Sequence, residues 1–523
     1  MDPLGVLADV APVDWLREMR ARLATDGIQI GGCQSEGQSW QFVLTLPDAL
    51  AFRFSLHSTV LLVVRRNRDT FISGRDLWST WRTAMAIDLD TDFFLIADWE
   101  PDADRRLHRL PGPFGQRIAW IPSSPGGIEP LEEVLLRQLP KFDIFDRRDP
   151  VRGRQLIGRA GLLDDLTKRV AAGQSIGVFG LRKIGKSSVM RAVTDRLDPM
   201  SAVISLLDGE DPIEDEAADE HMTHAVWIDV QGIVDRTLDG LCQRLCGAIE
   251  LRAGFGNIRT PVWPRSTPPL RRLGQLLEIA AGRHNRLFIV FDEYELIFEG
   301  SQGAGVIPGI EMLFGLLRAH AQETGLLSLG FVGRDPAHLQ QPLMNGVSNP
   351  LTGWVSVTAL APLKKEPAIR LFYRLCRRAG LDAGNSTFEQ VWNLTAGHPL
   401  LLRQYGSTLL AEWWAHYRPN TPRPPGTTEP LDMAATQAFL ERDVVRETCI
   451  EILHHLGRKE PQAVALLAAA LPGKEPTQAV RKVGGWNGTA AALLRRFGLL
   501  RGDEEHPQLP FALLACARSF AAP

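Results

Sequence analysis

The chain has 523 residues, too many for one ordinary domain, and its 45% hydrophobic and 23% charged content belongs to globular rather than disordered chains. A formal net charge of -3 excludes a globally basic nucleic-acid binder and leaves only a local basic face open. No window approaches the ~20 apolar residues that cross a bilayer, the six cysteines are scattered, and "MDPLGVLADVAP" is no secretory signal; a cytoplasmic protein with no membrane partner is expected.

Residues 1–120 open with helix-like "VDWLREMRARLA" and continue through the β-like runs "WQFVLTL", "AFRFSL", "VLLVV" and "FFLIADW", a small α/β domain whose role, sensor or effector, these runs leave open. Asp88, Asp90, Asp92, Asp98 and Glu100 cluster in "AIDLDTDFFLIADWEPD". No lysine follows at a spacing that would complete a metal-dependent nuclease site, so they read as a surface acidic edge. A Pro/Gly stretch, "LPGPFGQRIAWIPSSPGGIEP", marks a boundary, and 121–150 reads as a linker. The stretch 151–365 alternates strands and helices in the manner of a parallel sheet with crossover helices. Its acidic insert "DGEDPIEDEAADE" matches no calcium loop and reads as a solvated loop. Cys242 and Cys246 in "LCQRLCGAIE" share a helical face without further ligands nearby, which predicts packing rather than metal binding. A helical stretch, 366–417, leads to the proline-rich linker "RPNTPRPPGTTEP" at 418–430. The tail, 431–523, is mostly helical with a short β-like end.

Chemistry concentrates in four motifs. "VFGLRKIGKSSVMRA" fits G-x-x-x-x-G-K-[ST] through Gly180, Gly185, Lys186 and Ser187, with strand-like "SIGVFG" before it and a helix after it. Such a loop turns backbone N–H groups onto phosphates, and the helix N-terminus adds its positive end. Lys186 then contributes a charge to the β- and γ-phosphates, Ser187 a hydroxyl to Mg²⁺, and Lys183 and Ser188 complete the contacts of the loop. "RLFIVFDEYELIF" is a buried strand ending in Asp292, for the metal shell, and Glu293, to polarise the attacking water. "LLSLGFVGRD" ends in Arg334, which either reports the γ-phosphate or sits in a surface salt bridge. "TAGHPLLLRQYG" sets Gly397, His398 and Pro399 at a helix start.

In this order, and with "NPLTGWVSVTALAPLKKEPAIRLF" between the last two, these motifs resemble the signal-transduction ATPases with numerous domains (STAND), a branch related to the AAA+ ATPases. The likeness covers about 150–415. It implies an α/β P-loop NTPase core, a helical lid over 366–417 and a winged-helix domain over 431–523. It also implies that Ile157, Gly158 and Arg159 of "QLIGRAGLLDDLTKRVAAG" line the base pocket, that Arg334 is a sensor, and that Gly397 and Pro399 bring the lid over the nucleotide. Some relatives place a tail histidine against the β-phosphate of ADP, and His506 in "EEHPQ" is the nearest candidate.

The implied function is a slow ATPase switch using ATP/ADP and Mg²⁺, closed with ADP, open and self-associating with ATP, and set off by a protein or nucleic-acid trigger. The setting by analogy is bacterial signalling or antiphage defence. The alternative is a DNA-binding AAA+-like ATPase of origin or transposition type. Its winged helix would enter the major groove with Arg481, Lys482, Arg495 and Arg496.

Overall fold

The computed structural model describes residues 3–36, 39–54, 56, 58–66, 72, 93–100, 118–121, 123–124, 127–138, 143–146, 150–151, 156–198, 223–252, 264, 266–299, 306–379, 381, 383–416, 432–470, 476–505, 507 and 509–521. The chain divides into two compact units. One comprises Met1–Arg148, Lys365–Asn393 and Leu401–Arg442; the other comprises Asp149–Lys364, Leu394–Leu400 and Asp443–Pro523.

In the first unit, α1 (Val13–Thr25) buries Trp15, Leu16, Met19 and Leu23, one stripe at helical spacing. The strands β1 (Gln29–Glu36), β2 (Ser39–Thr45), β3 (Thr59–Arg65), β4 (Phe94–Ala97) and β5 (Ile118–Ile121) form one sheet in that order. The first three pair antiparallel and the last three parallel. Strand β3, "TVLLVVR", is buried at six of its seven positions because both faces are covered. Helix α2 (Leu131–Gln138), inside the stretch 121–150, adds Leu131 and Leu135 to the same core.

Where β3 and β4 end, the chain departs from its expected surface acidic edge. Asp98 is 3% exposed and Arg65 is wholly buried, with Arg65 Nε 3.3 Å from Asp98 and its Nη2 2.9 Å from Glu100. The guanidinium also lies 4.3 Å from the centre of the Trp99 ring, which meets Trp15 edge-on. The parallel pairing of Val64 with Ala97 brings Arg65 beside Asp98, so the acids are neutralised inside the fold. Asp88, Asp90 and Asp92, the acidic insert at 208–220 and the linker at 418–430 lie outside the described residues.

The second unit is built on five parallel strands: β6 (Ser175–Phe179), β7 (Thr223–Asp229), β8 (Arg286–Asp292), β9 (Leu327–Gly333) and β10 (Val355–Ala359), in the order β10-β6-β9-β8-β7. Helices on both faces make its strands near-continuous apolar runs, with β6 and β9 buried throughout. The first strand in the sequence stands between the fourth and the last, so the chain order reverses beside the carboxyl end of β6. Open parallel sheets form their ligand crevice at such a reversal. Between β6 and β7 runs α3 (Lys186–Leu197); between β7 and β8 runs α4 (Leu238–Arg252), followed by α5 (Pro269–Ala281). Cys242 and Cys246 face the core from α4, their thiols pushed up by burial to about 12 and about 11, as a packed helix face requires.

The helices α6 (Lys365–Arg378) and α7 (Asn385–Thr395) lead to α8 (Pro399–His416). In the first unit, Gly406 of α8 leaves room for Phe145, whose ring a Cβ there would approach to 2.1 Å. The tail of the second unit is helical: α9 (Asp443–Lys459), α10 (Pro461–Ala469), α11 (Pro476–Lys482), α12 (Thr489–Arg496) and α13 (Phe511–Ala521). Among the described residues the tail holds no strand beyond a one-residue bridge at Arg501, so no wing hairpin is seen there.

Candidate functional site

The loop between β6 and α3 is shaped by its glycines. A Cβ at Gly180 would stand 2.6 Å from the carbonyl oxygen of Leu360, and Gly185 precedes α3 at φ 99°, in the left-handed region that a side chain resists. Leu181 and Ile184, both buried, anchor the loop between those glycines, and Lys183 also sits at positive φ, 58°. The first turn of α3 therefore presents N–H groups that have no helical acceptor, the usual seat of a phosphate.

Lys186 starts that turn and is buried, its Nζ donating to Leu181 O at 2.9 Å. Burial pushes its ammonium down, while Glu293, Glu295 and Asp292 push it back up. Ser187 Oγ donates to Asp292 Oδ1 at 3.3 Å, across the gap between α3 and the end of β8. Burial raises the Asp292 carboxyl to about 6, the Ser187 hydrogen bond opposing the shift. Ser188 turns elsewhere, its Oγ accepting the Val151 N–H at 3.0 Å. Glu293 has φ 52°, a conformation costing a non-glycine residue about 1–3 kcal/mol. Such strain concentrates at functional positions.

Arg334 follows β9 and lines a cavity of about 260 Å³ together with Leu181, Arg182, Glu451, His455 and Arg458. The last three belong to the tail helix α9. Two ion pairs fasten that helix, Arg182 with Glu451 and Lys459 with Asp335. His455 Nε2 is buried without a hydrogen-bond partner among the described residues, and burial lowers the ring to about 4, so it is neutral at pH 7.

On the opposite flank of the loop, Arg159 donates to Ala361 O, and burial lowers its guanidinium to about 10. Ile157 and Gly158, the latter at φ 76°, form the turn before it. Leu363 N–H donates to Gly397 O at 3.0 Å, so the backbone at 361–363 joins the Arg159 turn to the Gly397–Pro399 turn. His398 is fully buried with its pKa lowered to about 4. Its neutral ring places Nε2 3.0 Å from Arg182 O, and because a carbonyl only accepts, Nε2 carries the proton. Arg501 of the tail donates to Ala396 O in that turn and to Leu363 O at 3.4 Å. Gly498, at φ 67°, lets the tail approach Pro362, whose Cδ a Cβ would meet at 2.7 Å.

Hydrogen bonds and charge interactions thus link the loop residues to the acid pair, to Arg334 and to the His398 turn. Sequence reasoning missed Arg182, an unspecified position within the loop motif, and Glu451, His455 and Arg501, which belong to no motif and reach the loop or the Ala396 turn only through tertiary packing. His506 lies outside the described residues.

A five-stranded parallel sheet, a glycine-shaped loop opening from β6 onto a helix and an acid pair at the end of β8, one strand removed across β9, define the α/β P-loop NTPase fold. No family model and no curated protein sequence matches the chain. Among solved structures, a Walker-type ATPase of Pyrococcus abyssi is 17% identical, with TM-score 0.46, covering 72% of this chain and 99% of that one. The ORC2 protein of Aeropyrum pernix in its ADPNP–ADP complexes is 13% identical, with TM-score 0.43 and coverages of 72% and 96%. A STAND protein with a tetratricopeptide repeat sensor from Pyrococcus horikoshii is 15% identical, with TM-score 0.29; the match covers 71% of this chain and 44% of that one.

Proposed function

We propose that the chain is a slow ATP hydrolase that works as a STAND-type switch, its tail gating the nucleotide. The observation that carries this reading is the fastening of α9 onto the two segments that would touch the terminal phosphate: the loop, through Arg182–Glu451, and the β9 end, through Asp335–Lys459.

The nucleotide's phosphates would lie on the N–H groups at 185–188, with Lys186 exchanging Leu181 O for phosphate oxygen. Ser187 and Asp292 fit Mg²⁺, being hard oxygen donors placed together, one a carboxyl that a cation would keep ionised. When bound, the ion neutralises charge on the β- and γ-phosphates. Glu293 accepts a proton from water as its oxygen bonds to the γ-phosphorus. The bond to the β,γ-bridging oxygen breaks, leaving ADP and phosphate. Arg334 faces the charge that develops, and the Ile157–Arg159 and Gly397–Pro399 turns hold the base side.

A nucleotide acts as a switch only through contacts that differ between two states. With ADP the tail stays docked; with ATP the added phosphate competes for the space that Arg334, His455 and Arg458 line, and the tail opens for self-association. Glu293→Gln is expected to bind ATP normally and to lower turnover at least about 100-fold. Normal phosphate release by that variant would remove Glu293 from its assigned role.

Exposed Arg481, Lys482 and Arg496 at the ends of α11 and α12 favour a second reading, a DNA-binding ATPase. Salt-dependent binding to duplex DNA, lost when those three become alanine, would establish it.

A further inference from the structure

We propose that Glu295 is a positioning residue for Arg334: its carboxylate continues the β8–β9 ladder by one rung and fixes the sensor backbone against the acid-pair turn. This rests on the hydrolytic reading of the site above.

The register of β8 with β9 runs to Asp292 opposite Val332; β8 ends there and β9 one residue later, at Gly333. The amides of Arg334 and Asp335 follow beyond that last rung. Glu295 Oε1 supplies the acceptor, taking the Arg334 N–H and, at 3.1 Å, the Asp335 N–H. Tyr294 grips the same segment from the other side, its hydroxyl donating to Asp335 O. Gly333 makes the close approach possible, since a Cβ there would stand 2.5 Å from Glu295 Oε1 and from the Tyr294 ring. Consecutive residues, Glu293, Tyr294 and Glu295, thus comprise the candidate water-activating acid and two clamps on the candidate sensor.

A role in packing alone does not account for the choice of side chain. Glu295 is 3% exposed and its Oε2 is buried with no hydrogen-bond partner among the described residues. A buried carboxylate with one orphaned oxygen carries a desolvation cost that an amide or an apolar residue avoids. What the side chain provides is an acceptor shared by two adjacent amides, whose hydrogen bonds oppose the upward push of burial on the carboxyl.

The test combines turnover with amide exchange. Glu295→Ala is expected to lower kcat about tenfold, as small misplacements of reacting groups do, with the affinity for ATP nearly unchanged. Exchange of the Arg334 and Asp335 amides, read by mass spectrometry, should quicken in the same variant. Glu295→Gln, whose side-chain oxygen still accepts, should restore both. Tyr294→Phe, a milder change should Glu295→Ala fail to fold, should lower kcat severalfold and quicken the same exchange. On an Arg334→Ala background neither variant should lower kcat further. Additive losses on that background, or unchanged amide exchange, would overturn the proposal. Arg334→Ala with full kcat would overturn it too, by sinking the sensor reading on which it rests.

Discussion

Two clusters of buried charge sit at strand ends in this protein, and they are built on opposite plans. At the ends of β3 and β4, Arg65 is matched to Asp98 and Glu100 and covered by the Trp99 ring. At the end of β8, Asp292, Glu293 and Glu295 crowd one turn, with the Lys186 ammonium held near them in a buried loop. The first cluster is closed in on itself. In the second, burial holds the Asp292 carboxyl up at about 6. Charge compensated internally belongs to a structural device; acids crowded at a strand end are candidates for a place where a ligand's charge completes the balance.

The difference can be broken from either side. Arg65→Ala strands Asp98 in the core and is expected to destabilise the first unit by about 3–5 kcal/mol in a denaturant titration. Nucleotide affinity should hardly change. A loss under 1 kcal/mol would mean that water reaches the pair. His398 sharpens the other side through its pH dependence. Its ring titrates near 4 when folded and near 6.5 when not, so the unfolded chain takes up a proton between those values and the folded chain does not. Its contribution is fully present above pH 6.5 and is lost as pH falls toward 4, up to about 3 kcal/mol in all. His398→Gln should flatten that part of the stability–pH curve relative to the parent, the difference cancelling the opposite trend from Asp292. Equal slopes would show His398 to be hydrated. The smallest effect belongs to the half-exposed Arg182–Glu451 pair. Glu451→Ala should quicken release of a fluorescent ADP analogue by only a few-fold, as exposed pairs are weak. An unchanged rate would remove the pair from gating.

The phosphate loop and the acid pair were legible in the sequence because their chemistry is local. Gly180 and Gly185 are required by backbone geometry within eight residues, and Asp292 and Glu293 follow an apolar strand directly. The parallel core was legible for the same reason, through alternating strand and helix patterns. Pairings between distant segments were not. Asp98 read as exposed because nothing in "FFLIADWEPD" announces that β4 lies parallel to β3 with Arg65 alongside. Glu295 carries no motif signal, because its part depends on the end of β9 bringing the Arg334 and Asp335 amides to it. The tail's holds on the loop through Glu451, on the β9 end through Lys459 and on the Ala396 turn through Arg501 join residues more than a hundred positions apart, with no motif to signal them.

The central claim is that the loop at 180–187 seats a nucleotide's phosphates, and titration calorimetry on the pure chain tests it most directly. Mg·ADP and Mg·ATP should each give a saturable heat at a single site, and Lys186→Ala should weaken both at least about 100-fold. Absence of heat from the parent chain with either nucleotide, or a Lys186→Ala curve that overlays it, would contradict the account.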